Sequence, residues 1–172
     1  GSTWITQYDE SIGFKPSSVN DAPWLPSLVS VQTQTDLART TLSEKRYEYD
    51  SRGNTLKQKT LVEGTQYSQT SFGYSANGDL IQTKAWQTFA TSNADPVGMP
   101  LITDYMISGI APGKVGQSTV HKDSQTTFTT ITEYMPELAL PVKVIHPNGS
   151  IEGASYDQLG RITYICAPLN WT

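Results

Sequence analysis

RYEYDSRGNTLKQKT, residues 46–60, is the stretch on which the fold turns. Tyr47 and Tyr49 are spaced by two and so project from one face of an extended strand. Asp50-Ser51-Arg52-Gly53 follows, with Asp first and Gly fourth, the residue preference of a type I turn. The Asp50 carboxylate is expected to cap backbone amides of that turn. Gly53 is expected to take the positive φ that closes a short hairpin loop with a bulge, a conformation costly for any residue with a Cβ. Leu56 lies beyond, on the outgoing strand. The stretch therefore reads as an aromatic strand, a tight turn and a second strand.

The same grammar recurs. SFGYSANGDLIQTKAW places Phe72 and Tyr74 before Ser75-Ala76-Asn77-Gly78, with Leu80 and Ile81 after it. GASYDQLGRITYICAP places Ala154 and Tyr156 before Asp157-Gln158-Leu159-Gly160, with Ile162 and Tyr164 after it. His146-Pro147-Asn148-Gly149 fits the turn as well, with Pro at the second position where its fixed φ helps. One hairpin alone is marginal in water, so neighbouring hairpins must pair. Tyr49 and Tyr74 lie 25 residues apart, a period typical of repeats that bury their faces only by stacking on one another.

Composition agrees with an all-β chain. Of 172 residues, 37% are hydrophobic and 16% charged, against roughly 45–50% apolar and about 25% charged in a typical soluble domain. Thr, Ser, Gln and Tyr fill the difference, and β-branched and aromatic residues suit a pleated, half-exposed surface. Leu28–Thr35 alternates so that Val29, Val31, Thr33 and Thr35 share a face, as in a strand with one wet side. Residues 1–26, with Trp4, Trp24 and three prolines, read as an irregular opening segment. Residues 27–172 read as hairpin repeats, interrupted near 87–120 by a long loop or degenerate unit rich in Gly, Pro and Ser. Alternation resumes through Phe128, Thr130, Thr132 and Tyr134, then Val142 and Val144. A net charge of −4 argues against a phosphate-backbone binder, so no nucleic acid partner is expected. No apolar run approaches the roughly 20 residues needed to span a bilayer. The start lacks the marks of a signal peptide, and Gly1-Ser2 has the form of an expression scar, which would have cut away any native targeting information.

At this point YEYDSRGN and HPNGSIEGASYDQLGRI resemble the YD repeat of the Rhs family, whose units run Tyr-x-Tyr-Asp-x-x-Gly-Arg/Asn-Leu and often follow a Pro-x-Gly turn. FGYSANGDL departs from it, Ser75 replacing the Asp, and Thr55 stands where an aliphatic residue belongs in the first unit. The clear motifs cover under half of the chain. The resemblance implies a curved or spiralling sheet of antiparallel hairpins, a segment of a shell that encloses a C-terminal toxin, as in the B and C components of insecticidal toxin complexes. It also implies a secreted or cell-surface setting and, as partners, other repeat segments of the same parent or toxin-complex subunits. On that reading Tyr47, Tyr49, Tyr74 and Tyr156 pack between rungs. Asp50, Asp157, Gly53, Gly78, Gly149 and Gly160 hold the turns.

Chemistry is thinly represented. Cys166 is the only cysteine, which excludes an internal disulfide; alternation in RITYIC predicts a buried small hydrophobe there. His121 and His146 are the only histidines. A Cys/His nucleophilic pair would need a convergence the sequence does not specify. Glu63, Glu133, Glu137 and Glu152 offer carboxylates, but nothing marks two of them as a glycosidase pair. Asp95-Pro96-Val97-Gly98 is similar to the Asp-Pro-x-Gly element of self-cleaving Rhs proteins. Met99-Pro100 follows where that family has Leu, so a type I turn is the expectation. Asn148-Gly149-Ser150 and Asn170-Trp171-Thr172 fit the glycosylation acceptor pattern. No catalytic, metal or cofactor site is expected. The alternative to a shell segment is an extracellular module that binds a glycan or protein through Trp86, Trp171 or the tyrosines.

Overall fold

The structure, a computed structural model, describes residues 3–7, 28–36, 38 and 40–167. All regular structure among them is β: β1 (Thr3–Gln7), β2 (Val31–Thr35), β3 (Thr41–Tyr49), β4 (Thr55–Glu63), β5 (Gln66–Tyr74), β6 (Leu80–Ala85), β7 (Leu101–Ile107), β8 (Val115–His121), β9 (Thr127–Tyr134), β10 (Pro141–Ile145), β11 (Ile151–Tyr156) and β12 (Ile162–Cys166). The chain divides into two units, Gly1–Tyr74 with Thr83–Pro100, and Ser75–Gln82 with Leu101–Thr172.

In the first unit β1 to β5 form an antiparallel meander in chain order. Pairing of Val31 with Arg46, Arg46 with Lys59 and Lys59 with Gln69 lays these four side chains in one row across one face. Thr33, Glu44, Leu61 and Tyr67 form the next row. After β6 the chain stays beside β5. The Trp86 amide donates to the Gln69 carbonyl at 3.1 Å, and Tyr67 and Ala90 exchange amide–carbonyl hydrogen bonds of 2.8 and 3.1 Å. Residues 91–97 then cross this face as a strap. Under it lie Tyr67, Lys59 and Gln69, at 7%, 5% and 3% exposure. Val31, 4% exposed, is the other large buried apolar side chain of this unit among the described residues, a burial that contributes about 1.5–3 kcal/mol.

In the second unit β7 to β12 form a meander of the same kind. Ala111 is its one fully buried hydrophobic residue among those described. Both faces of these strands are half-exposed, and β12 is exposed along its whole length. Such a sheet is held by its ladders, cross-strand pairs and turns. The moderate interior that 172 residues could bury is not formed among the described residues.

Four expectations change. Thr3–Gln7 is a strand paired with β2, not irregular; the rest of 1–26, with Trp24, lies outside the described residues. The expected gap at 87–120 shrinks to 86–100, because β7 and β8 pair through Ile102–Ile107 and Val115–His121. Glycine and proline had masked their alternation. Asp95–Val97 carries no hydrogen-bonded turn; the chain turns earlier, where Ala94 N donates to Thr91 O at 3.3 Å. Cys166 is exposed, not buried, because neither face of β12 is covered.

Candidate functional site

The repeated element is the hairpin turn, and four copies share one geometry. In Asp50–Asn54 the Gly53 amide donates to Asp50 O at 3.1 Å and the Asp50 amide to Asn54 O at 2.9 Å. Ser75–Asp79, His146–Ser150 and Asp157–Arg161 repeat both bonds at 2.8–3.0 Å. The glycines have φ of 86° at Gly53, 90° at Gly78, 80° at Gly149 and 78° at Gly160, in the left-handed region that a Cβ disfavours.

Side chains at the first position complete three of the turns. Asp50 Oδ1 accepts from the amides of Arg52 and Asn54 at 2.8 and 2.9 Å, and Oδ2 from Asn54 Nδ2. Burial pushes its pKa up, but the Asn54 and Arg52 hydrogen bonds together outweigh this and hold the carboxyl below its ordinary range. Asp157 accepts from the amides of Leu159 and Arg161 and from Arg161 Nε at 2.6 Å. Ser75 Oγ performs the same task toward Asn77 and Asp79, so the Asp-to-Ser departure keeps the acceptor and loses the charge. At His146 the capping oxygen comes instead from Asn148 Oδ1, toward the Ser150 amide.

The tyrosines before the turns do more than pack. Tyr47 and Tyr49 stack, with centroids 6.2 Å apart. The Tyr49 hydroxyl also donates to Val29 O at 2.8 Å, just before β2. Tyr156 donates to Pro141 O at 2.9 Å, the first residue of β10. Tyr134 ends β9 and donates to Val115 O at 2.9 Å, the first residue of β8. Each hydroxyl ties the end of one strand to the start of the strand before it. Tyr74 is half-buried, and burial together with the Asp50 charge raises its phenol pKa. In the sequence Tyr134 stands only as part of the alternation of β9 and not among the repeat tyrosines, because Met135-Pro136 follows it in place of Asp-x-x-Gly.

A second arrangement, absent from the sequence reading, lies under the strap of the first unit. Lys59 Nζ donates to Ser92 O at 3.1 Å and to Ala94 O at 2.6 Å, pinning the strap to β4. Lys57 Nζ lies 3.0 Å from Asp95 Oδ1 and 3.5 Å from Glu48 Oε2. Arg46 Nε meets Glu44 Oε1 at 2.6 Å, and the Tyr67 hydroxyl donates to the same oxygen at 2.7 Å. Burial pulls the Lys59 ammonium below the ordinary lysine range, with Asp95 and Glu48 opposing it. Burial also opposes the charge on Lys57, but the Asp95 hydrogen bond and Glu48 outweigh it and raise its pKa. Asp95 is held low by the Lys57 hydrogen bond. Between strap and sheet is a polar cleft of about 310 Å³ lined by Arg46, Glu48, Lys57, Lys59 and Asp95, with Tyr47, Ser92 and Asn93.

The histidines sit apart from any nucleophile described. His121 Nε2 is 2.7 Å from Asp104 Oδ2, and Gln82 donates to Asp104 Oδ1 at 2.7 Å. His146 Nε2 is 3.0 Å from Glu152 Oε1, off the axis of a hydrogen bond. Glu133 pairs with Lys143 at 2.8 Å. Among the described residues no three His, Cys, Asp or Glu side chains are grouped to hold a metal ion, and no helix is long and apolar enough to cross a membrane. Trp171 and Asn170 lie outside the described residues. No protein-family model matches the chain, and neither does any curated protein.

Proposed function

We propose that the chain is a non-enzymatic hairpin-repeat segment of a YD-type protein, contributing to the wall of a shell that encloses a C-terminal toxin. The observation that carries this reading is the repetition of one five-residue turn in sheets that build almost no interior of their own. A wall needs area rather than a core, and an antiparallel meander supplies area while pairing every internal strand on both sides. The turn side chains, tyrosine hydroxyls and positive-φ glycines are structural parts of that wall. The curved course of the sheet, the secreted or surface setting and the partners, further repeat segments or toxin-complex subunits, follow from the same resemblance.

The second reading, a protein-binding module, is favoured by β12, where Ile162, Tyr164 and Ile165 are 58%, 63% and 65% exposed. Limited proteolysis of the natural polypeptide that contains this chain, with electron microscopy of the same sample, separates the two. A C-terminal fragment protected inside a hollow particle is the expected result. A solid or extended particle with no protected fragment would leave the binding module as the function.

A further inference from the structure

β12 belongs to a series of strand starts that share one construction. Val115, Pro141 and Ile162 are the first residues of β8, β10 and β12. Each stands opposite the last residue of the strand before it, Ile107, Tyr134 and Tyr156, with a register shift at that point. The residue just ahead of each closes the preceding turn: the carbonyls of Lys114, Leu140 and Arg161 accept from the amides of Ser108, Met135 and Asp157 at 2.7–2.9 Å. A tyrosine hydroxyl from the end of the following strand then bonds the first carbonyl, Tyr134 to Val115 O and Tyr156 to Pro141 O, each at 2.9 Å. In the first unit Tyr49 does the same toward Val29; Tyr74, at the end of β5, has no such bond among the described residues. Ile162 is the member of the series with no strand after it among the described residues. Its strand is also undefended as an edge. Ile162–Cys166 holds neither charge nor proline, two devices that keep an edge from pairing, and every residue of it is exposed. An apolar groove of about 410 Å³ over β10–β12, whose lining includes Val142, Val144, Ala154, Tyr156, Ile162 and Ile165, reaches this edge strand.

We propose that the free edge of β12 is the docking site for one kind of strand: an antiparallel strand of a further hairpin repeat that ends in tyrosine, whose hydroxyl donates to Ile162 O. The proposal deepens the wall reading and rests on it for the source of that strand. The occupant is identified by continuity with the pairing already present. β9 on β8 and β11 on β10 both enter antiparallel, and both end in the tyrosine that reaches the strand start. Ladder hydrogen bonds supply an affinity that any extended segment could gain, and side chains placed against the edge supply the choice among segments.

The test uses the whole chain and a synthetic peptide of Thr127–Tyr134, the sequence of β9, beside the same peptide with Tyr134→Phe. Amide NMR of the chain, titrated to about 2 mM peptide, covers affinities down to the millimolar range. The expected result is saturable shifts at Ile162–Cys166, with the Tyr134→Phe peptide bound about threefold or more weakly, the effect of one hydrogen bond. Ile165→Lys, at an exposed position, should abolish the shifts by placing a charge in the edge, with the amides of β8–β10 in place. Phe89→Lys, at an exposed position of the first unit, should leave them. Equal affinity of the two peptides would overturn the tyrosine assignment, and no saturable shift at β12 would overturn the site. Sedimentation velocity of the chain alone, up to about 100 μM, covers the other occupant: self-association that Ile165→Lys abolishes would give the edge to a second copy and overturn the repeat strand as its partner. Peptide binding by a chain whose natural polypeptide forms no shell would refute the wall reading alone, and a shell without peptide binding would refute this inference alone.

Discussion

Replacing Gly160 probes the repeated turn at its most constrained residue. Its φ is +78°, and a Cβ built there would lie 3.4 Å from Leu140 Cδ1 and 3.7 Å from Leu138 Cδ1. An alanine methyl therefore fits, and Gly160→Ala meets only the backbone cost of a left-handed residue, about 1–2 kcal/mol. Asn tolerates this region, so Gly160→Asn should cost under about 1 kcal/mol. Gly160→Val adds β-branching, whose methyls extend toward Leu140, and should reach about 2–3 kcal/mol. For a chain of this length each kcal/mol moves Tm by about 2–4 °C. The series should fall in the order Gly, Asn, Ala, Val, with Val about 4–12 °C below the parent. Thermal unfolding followed by far-UV circular dichroism reads this directly. An Asn variant as unstable as Val, or a Val variant with unchanged Tm, would refute a positive-φ hairpin turn at this position.

Removing the Tyr156 hydroxyl with Tyr156→Phe should cost about 0.5–1.5 kcal/mol and speed hydrogen exchange at the β10–β11 end of the sheet; unaltered exchange there would mean the bond to Pro141 holds nothing. Acid should destabilise the first unit below about pH 4. Asp50 and Asp95 both have folded pKa values below the 3.8 of the free side chain, so their contribution is present above that value and lost as pH falls through the folded ones. Asp95→Asn should flatten part of that acid limb in a pH series of Tm; an identical limb would exclude Asp95. Cys166 should react with a thiol reagent in the native chain at the rate of a small free thiol, and a need for denaturant would contradict its exposure.

The turns were legible because their chemistry is local. Asp50 and Gly53, or Asp157 and Gly160, specify a loop through residues no more than four apart. Gly64-Thr65, between β4 and β5, was equally readable. Gly64 has φ +55° in a two-residue loop, a glycine-first hairpin signal that the YD grammar obscured. The tyrosine acceptors were not legible, because Val29 and Pro141 lie 20 and 15 residues before their donors and meet them only once register is set. Lys59 was hidden for a related reason. Lys57-Gln58-Lys59 alternates as a solvated strand would, and only the strap arriving from residues 92–95 turns its second lysine inward. Cys166 shows the converse: alternation identified the strand but not whether anything covers it.

The strictly sequential pairing within each unit also bears on how the chain finds its structure. Most all-β proteins fold slowly because strands distant in sequence must meet, and the entropy of closing long loops is lost before those contacts form. Here, from β2 to β5 and from β7 to β12, each strand pairs with the next across a connection of two to seven residues; the pairings of β1 with β2 and of Tyr67 with Ala90 span more. Low contact order follows, and with it folding that proceeds strand by strand. A chain built this way can zip up from one end as it emerges from a ribosome or a secretion pore, without waiting for a distant segment to arrive.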